Sequence, residues 1–303
     1  MKLMKHHLRE VPGYQHFAEI HQIKSGSSQS GKYHIITTSG QSLLLRIENG
    51  LGNKERYERH AEGLKYFAKT GILMAPLISW GVINGGQHVY ILQHFILGTD
   101  VRELLEFASI KRAYDIGYKV GQMVRKIKEN TNMSNDKEEL NKVRDKARVL
   151  VDKILQEYEA YEKKFEEDKR VIKFIQDKRT LIDEFEITIC HRDLFIQNLL
   201  MVPTGEIAII DFEYWQLDHI YMDLIPLDFI YTENISEKIV EFHRGKIAGY
   251  FEGEPPEKFY EVYAYITALR CMALWSANKG LYIENIFKQF DYFQEIIPKF
   301  LRK

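Results

Sequence analysis

Two short motifs constrain this 303-residue chain more than anything else in it: TICHRDLFIQN, from Thr188 to Asn198, and IIDFE, from Ile209 to Glu213. Asp193 and Asn198 stand five residues apart on a predicted loop. Asp211 ends an apolar strand eighteen residues after Asp193. Phosphoryl transfer needs a carboxylate that orients and deprotonates an acceptor hydroxyl, and oxygen ligands that fix Mg²⁺ on phosphates. Asp193 is the candidate base, and Asn198 and Asp211 are the candidate metal ligands.

A lone His-x-Asp says little. Here H-R-D-L-x-x-x-N is followed by a hairpin-like connection at Pro203-Thr204-Gly205 and then by A-I-I-D-F. Base, ligand, strand and second ligand come in the required order. His191 reads as a buried scaffold residue rather than a proton carrier, because Asp193 already supplies the base.

These motifs resemble the aminoglycoside phosphotransferase and choline/ethanolamine kinase family, which has a protein-kinase-like fold. Its members carry H-x-D-L-x-x-x-N and then I-D-F/W-E; this chain has His191 to Asn198 and Ile210-Asp211-Phe212-Glu213. Tyr214 completes the D-F-E-Y string frequent in choline and ethanolamine kinases, and Cys190 before His191 is similar to choline kinases. Asp223, in Met222-Asp223-Leu224, stands where the family has a later Asp; the resemblance implies that it holds the catalytic loop from beneath. The motif match runs from Gly26 to Asp223 and is specific around 188–223.

The chain also departs from its look-alikes. Arg192 stands where small-molecule kinases often have Gly or Asn, and His-Arg-Asp is the protein-kinase spelling. Yet Phe195 replaces the Lys of Ser/Thr protein kinases, Asp-Phe-Glu replaces Asp-Phe-Gly, and no Ala-Pro-Glu follows. A small-molecule acceptor is therefore expected over a protein one. A protein kinase and a non-catalytic nucleotide-binding protein of the same fold are the alternatives.

Composition narrows the class further. Hydrophobic content of 45% and charged content of 28% suit a globular chain, and a net charge of −1 gives no bulk attraction to nucleic acid or anionic membrane. Two cysteines, Cys190 and Cys271, argue against a disulfide scaffold and for a reducing cytoplasm. The basic start lacks a signal-peptide core, and no apolar run approaches the ~20 residues of a membrane span.

Patterning predicts strands at 17–24 and 32–38 around the small polar loop Ser25–Gly31, a β-like run at Leu43–Ile47, and a helix at about 53–69. A strand from Pro76, a turn at Asn84-Gly85 and a return strand at His88–Phe95 follow. Beyond this, helices are expected at 112–128, within 138–180, and at 236–251, 256–278 and 284–301. With the resemblance, the order implies an α+β, bilobal protein-kinase-like fold. Its small antiparallel-sheet lobe spans 1–95, and its larger, mainly helical lobe spans 96–303.

The resemblance also assigns the nucleotide site. Ser27, Ser28 and Ser30 would cradle phosphates, and Arg46 would clamp them in place of the usual Lys. Its partner is expected to be a helix carboxylate, Glu58 or Glu62, with Glu62 preferred. Backbone groups near Gln93–Phe95 would meet the purine of ATP or GTP. At the acceptor site, Glu213, Tyr214, Trp215 and Trp275 are candidates for holding an ammonium by charge and cation–π attraction, with core packing the other reading of the two Trp residues. An aminoglycoside would instead draw on carboxylates such as Asp218, Asp228 and Glu233.

Overall fold

Alternating burial builds the amino-terminal part. The computed structural model describes residues 8–23, 31–50, 52–131, 137–165, 168–226, 228 and 236–277. Strands β1 (Phe17–Ile23), β2 (Gly31–Thr37), β3 (Ser42–Asn49), β4 (Leu77–Ile83) and β5 (His88–His94) form one antiparallel sheet in the order β1-β2-β3-β5-β4. One face is apolar: Tyr33, Ile35, Leu43, Leu45, Ile47, Tyr90 and Leu92 pack with Leu8 and Val11. The period of two then sends Arg46 to the other face, opposite Lys32 on β2 and Ile91 on β5. Asn84 and Gly85, at φ 55° and 62°, make the left-handed turn that the sequence predicts.

Helix α1 (Lys54–Ala68) buries Tyr57, His60, Ala61, Leu64 and Phe67, a stripe at helical spacing. The short β6 (Thr99–Asp100) pairs with β8 (Leu199–Met201), which pairs with β9 (Ile207–Ile209). The β8–β9 turn falls at the expected Pro203–Gly205, with Gly205 at φ 79°.

The carboxy-terminal part is mainly helical. After α2 (Val101–Phe107) come α3 (Ile110–Asn130), α4 (Lys137–Ala160), α5 (Asp168–Asp177), α6 (Glu237–Phe251) and α7 (Glu257–Ala277). The Ser109 hydroxyl caps α3 by accepting from Arg112 N. A two-stranded ribbon pairs β7 (Ile187–Cys190) with β10 (Gln216–His219). Helices α3 and α6 approach closely through glycines: a Cβ on Gly117 would overlap the Phe242 carbonyl oxygen, and one on Gly249 the Tyr118 carbonyl oxygen.

This is the expected α+β class, sheet first and helices after. Two compact units result, Met1–Glu103 with Gln197–Trp215, and Leu104–Ile196 with Gln216–Lys303. The first is thus discontinuous in sequence, and the hairpin β8–β9 belongs to it. Ser27, Ser28, Ser30, Glu233 and the helix expected at 284–301 lie outside the described residues. Among the described residues, no helix is long and apolar enough to cross a membrane.

Candidate active site

Two clusters of polar side chains carry the predicted residues, one in each unit. In the first unit, hairpin register does the placing. Leu199 pairs with Ile209, and Ile210 N continues the ladder by donating to the Asn198 carbonyl at 3.0 Å. Buried Asn198 therefore lies across the hairpin from Ile210, one residue from Asp211. Asp211 itself takes a left-handed φ of 69°.

Arg46, 5% exposed, donates to Asp211 Oδ1 at 2.7 Å, and its second terminal nitrogen lies 3.6 Å from Glu213 Oε2. Arg56 bridges Glu48 and Glu213, the latter at 3.3 Å. The ring of buried His60 comes in from α1: one of its nitrogens and carboxylate oxygens of Asp211 and Glu213 all lie within 4.8 Å of one another. Burial alone would raise the Asp211 pKa. The charge of Arg46, then that of His60 and the Arg46 hydrogen bond, outweigh burial and hold it at about 2. Lys32 belongs to the same field. Burial and the Arg46 charge lower its pKa, against the pull of Asp211 and Glu213.

Here the structure corrects the expected ion pair. Glu58 and Glu62 are both exposed, and Arg46 takes Asp211 and Glu213 instead. The reason is helical geometry. Residues two apart lie about 200° apart on the helix wheel, so once His60 faces inward, 58 and 62 both face outward. The i, i+4 pair Arg56 and His60 on one face of the helix is the sequence signal for this arrangement.

The hinge residues end the sheet. Gln93 is 5% exposed, and the Phe95 ring stacks on His34 at 4.2 Å. The N–H groups of His94 and Phe95 donate to the Pro76 and Ser42 carbonyls, at 3.1 and 3.0 Å. These two N–H groups are thus engaged within the protein.

In the second unit, Asp193 lies half-buried between anchored neighbours. His191 is fully buried, and its Nδ1 accepts from Asp193 N at 3.3 Å, so it serves as a scaffold. Asp223 accepts from His191 N at 2.7 Å and from Arg192 N at 2.8 Å. Asp228 accepts from Ile196 N at 2.9 Å. Arg192 has a φ of 68°, which explains why a Gly or Asn suits this position. Its guanidinium donates to Asp218 at 2.8 Å. Asp218 and Asp228, weighed above as acceptor carboxylates, are therefore buried structural partners.

The aromatic candidates divide. Trp275 is a core residue, which corrects its assignment to the acceptor site: it is 8% exposed, packs edge-on against Phe165 and donates its indole N–H to the Lys163 carbonyl at 2.7 Å. Trp215 is held against α1, donating to the Arg59 carbonyl at 2.6 Å, with its ring tilted 46° to that of Tyr66 at 4.9 Å. Glu213 is engaged by Arg46 and Arg56. Tyr214 is 54% exposed.

The donor set of the first unit suits a divalent cation. The Asp211 and Glu213 carboxylates and the Asn198 amide are oxygen donors of the kind Mg²⁺ takes. A half-buried carboxylate beside a buried cation also gives phosphate oxygens something to exchange with.

Sheet, hairpin and helices together define an α+β fold of the kinase-like kind. The sequence model of the phosphotransferase enzyme family matches residues 19–260. The chain belongs to that family. Among solved structures, it resembles the amicoumacin kinase hAmiN in complex with AMP-PNP, Ca²⁺ and Ami, with a TM-score of 0.55 and 16% identity over 94% of this chain and 90% of that one. The streptomycin–ATP–APH(2'')-IIa ternary complex gives 0.58 and 14% over 89% and 86%. The choline kinase LicA from Streptococcus pneumoniae gives 0.50 and 14% over 88% and 87%. At these identities the likeness is one of fold. No curated protein sequence matches the chain.

Proposed function

We propose that this chain is a nucleotide-dependent kinase that transfers the γ-phosphate of ATP or GTP to a hydroxyl of a small, amine-bearing acceptor. The observation that carries this reading is the β8–β9 register, which sets Asn198 beside Asp211 with the buried Arg46 guanidinium on the Asp211 carboxylate. Asn198 and Asp211 are the residues that would hold Mg²⁺, which neutralises phosphate charge when bound. Arg46 exchanges Asp211 for phosphate oxygens when nucleotide enters. Lys32, directly opposite Arg46 on the sheet, adds a second cation to the same face. Ser27, Ser28 and Ser30, outside the described residues, are the serines that would meet the phosphates, and backbone groups around Gln93–Phe95 other than the two engaged N–H groups would receive the base.

Asp193 orients the acceptor hydroxyl and takes its proton as the phosphoryl group arrives. Its neighbours hold its backbone in place. Tyr214, 54% exposed, is the aromatic residue that would meet an ammonium group of the acceptor. Low-identity neighbours that act on aminoglycosides or choline support an amine-bearing acceptor without selecting one. The protein-kinase alternative rested on Arg192, and the Asp218 ion pair gives that residue a structural task instead.

Replacing Asp193 by Asn tests the mechanism. Nucleotide affinity is expected within about twofold of wild type, while turnover falls by roughly 10²–10⁴, the usual contribution of a positioned base. Turnover retained in Asp193→Asn would refute the assignment.

A further inference from the structure

Beneath the Asp193 segment lies a buried charge that the reaction scheme leaves unused. Lys246, on α6, has no solvent exposure. Its ammonium donates to the Ile225 carbonyl at 3.4 Å. Ile225 stands between Asp223 and Asp228, the two carboxylates that hold the backbone around Asp193. Asp223 takes the amides of His191 and Arg192 on one side; Asp228 takes the amide of Ile196 on the other. Both carboxylates are buried, at 2% and 9% exposure, and isolated buried anions are costly unless a cation balances them.

The surroundings offer Lys246 as that cation. Burial raises the Asp223 pKa, and the charges of His191 and Lys246 and the two amide hydrogen bonds oppose it. Burial lowers the Lys246 pKa to about 8, and Asp228 and Asp223 limit the fall, so it stays charged at neutral pH. His243, whose Nε2 lies 3.2 Å from Asp228 Oδ2, is held at about 4 by burial and then by Lys246, so at neutral pH it brings no charge. The position of Lys246 is fixed from outside: α6 is locked to α3 where glycines 117, 121, 245 and 249 bring backbone against backbone.

We propose that Lys246 is a positioning residue: its buried ammonium keeps Asp223 and Asp228 as the anions that clamp the backbone amides flanking Asp193. This rests on Asp193 being the base of the proposed reaction. The lysine touches neither nucleotide nor acceptor. It acts through the two carboxylates, by making a rigid anionic clamp tolerable in a dry interior.

The test is a double-mutant cycle on Lys246→Met and Asp228→Asn, read by amide hydrogen exchange and steady-state kinetics of the full chain. In Lys246→Met, exchange at His191, Arg192 and Ile196 is expected to rise at least tenfold while amides within α3 keep their protection. The kcat is expected to fall at least tenfold, with KM for nucleotide within twofold. Where both single variants fold, exchange at Ile196 in the double variant should match the faster single variant rather than the product of both effects. Should Lys246→Met alone fail to fold, a folded double variant, which has lost one charge of each sign, is the expected result, and a double variant that also fails to fold would overturn the proposal. Unchanged exchange at the three amides, uniform loss of protection across the unit, or independent effects of the two substitutions would overturn the proposal. Exchange requires no acceptor, so it judges Lys246 even if the proposed reaction proves wrong.

Discussion

The ion pair of Arg46 with Asp211 ties the sheet to the hairpin that carries the predicted metal ligands. Its energetics are testable through pH. Asp211 is held at about 2 against an ordinary 3.8, so the folded state keeps its proton off to lower pH than the unfolded chain does. A depressed carboxyl stabilises the fold above the unfolded pKa and loses that contribution as pH falls through the folded one. The shift corresponds to about 2 kcal/mol, present above roughly pH 4 and gone near pH 2. Arg46→Met is expected to remove this increment in acid titrations followed by circular dichroism, and to weaken nucleotide binding at least tenfold by calorimetry. Equal acid midpoints for both proteins would contradict the pair's role. At this scale the sequence was readable where neighbours share a contiguous motif, as with the hairpin that sets Asn198 across from Ile210, next to Asp211. His60, Arg56 and Lys32 were not readable, because their importance comes from partners across the sheet or far along the chain. Trp275 misled for the same reason: an aromatic residue on a helix reads alike whether it packs or binds.

Elements were the most legible level, since period two and period 3.6 are local properties of the chain. The five strands of the sheet and α1, α3, α6 and α7 fall where patterning put them. The helix-to-helix seam was hidden, because Gly117, Gly121, Gly245 and Gly249 look like poor helix formers until their partner is known. Gly117→Ala is expected to destabilise the chain by about 3 kcal/mol or more, because its methyl would meet the Phe242 carbonyl rather than a movable side chain. Urea denaturation measures this. A loss near zero would mean that α3 and α6 do not approach as described. The same seam sets Lys246 under the Asp193 segment, so a substitution that separates the helices should also slow turnover.

For the whole molecule, membership of the phosphotransferase enzyme family follows from motifs, fold and family match together, while the acceptor does not. Hydroxyl recognition depends on a few side chains from separate segments, and neither composition nor spacing encodes their meeting. Tyr214 is exposed, whereas Trp215 and Trp275 donate their indole N–H groups to backbone carbonyls. The most direct measurement is nucleoside-diphosphate release with Mg–ATP and Mg–GTP across amino alcohols, aminoglycosides, macrolides and sugars, run in parallel on wild type and Asp193→Asn. One amine-bearing class is expected to stimulate release, and Asp193→Asn to abolish that stimulation. Nucleotide binding with no stimulation by any small acceptor would contradict the small-molecule kinase account.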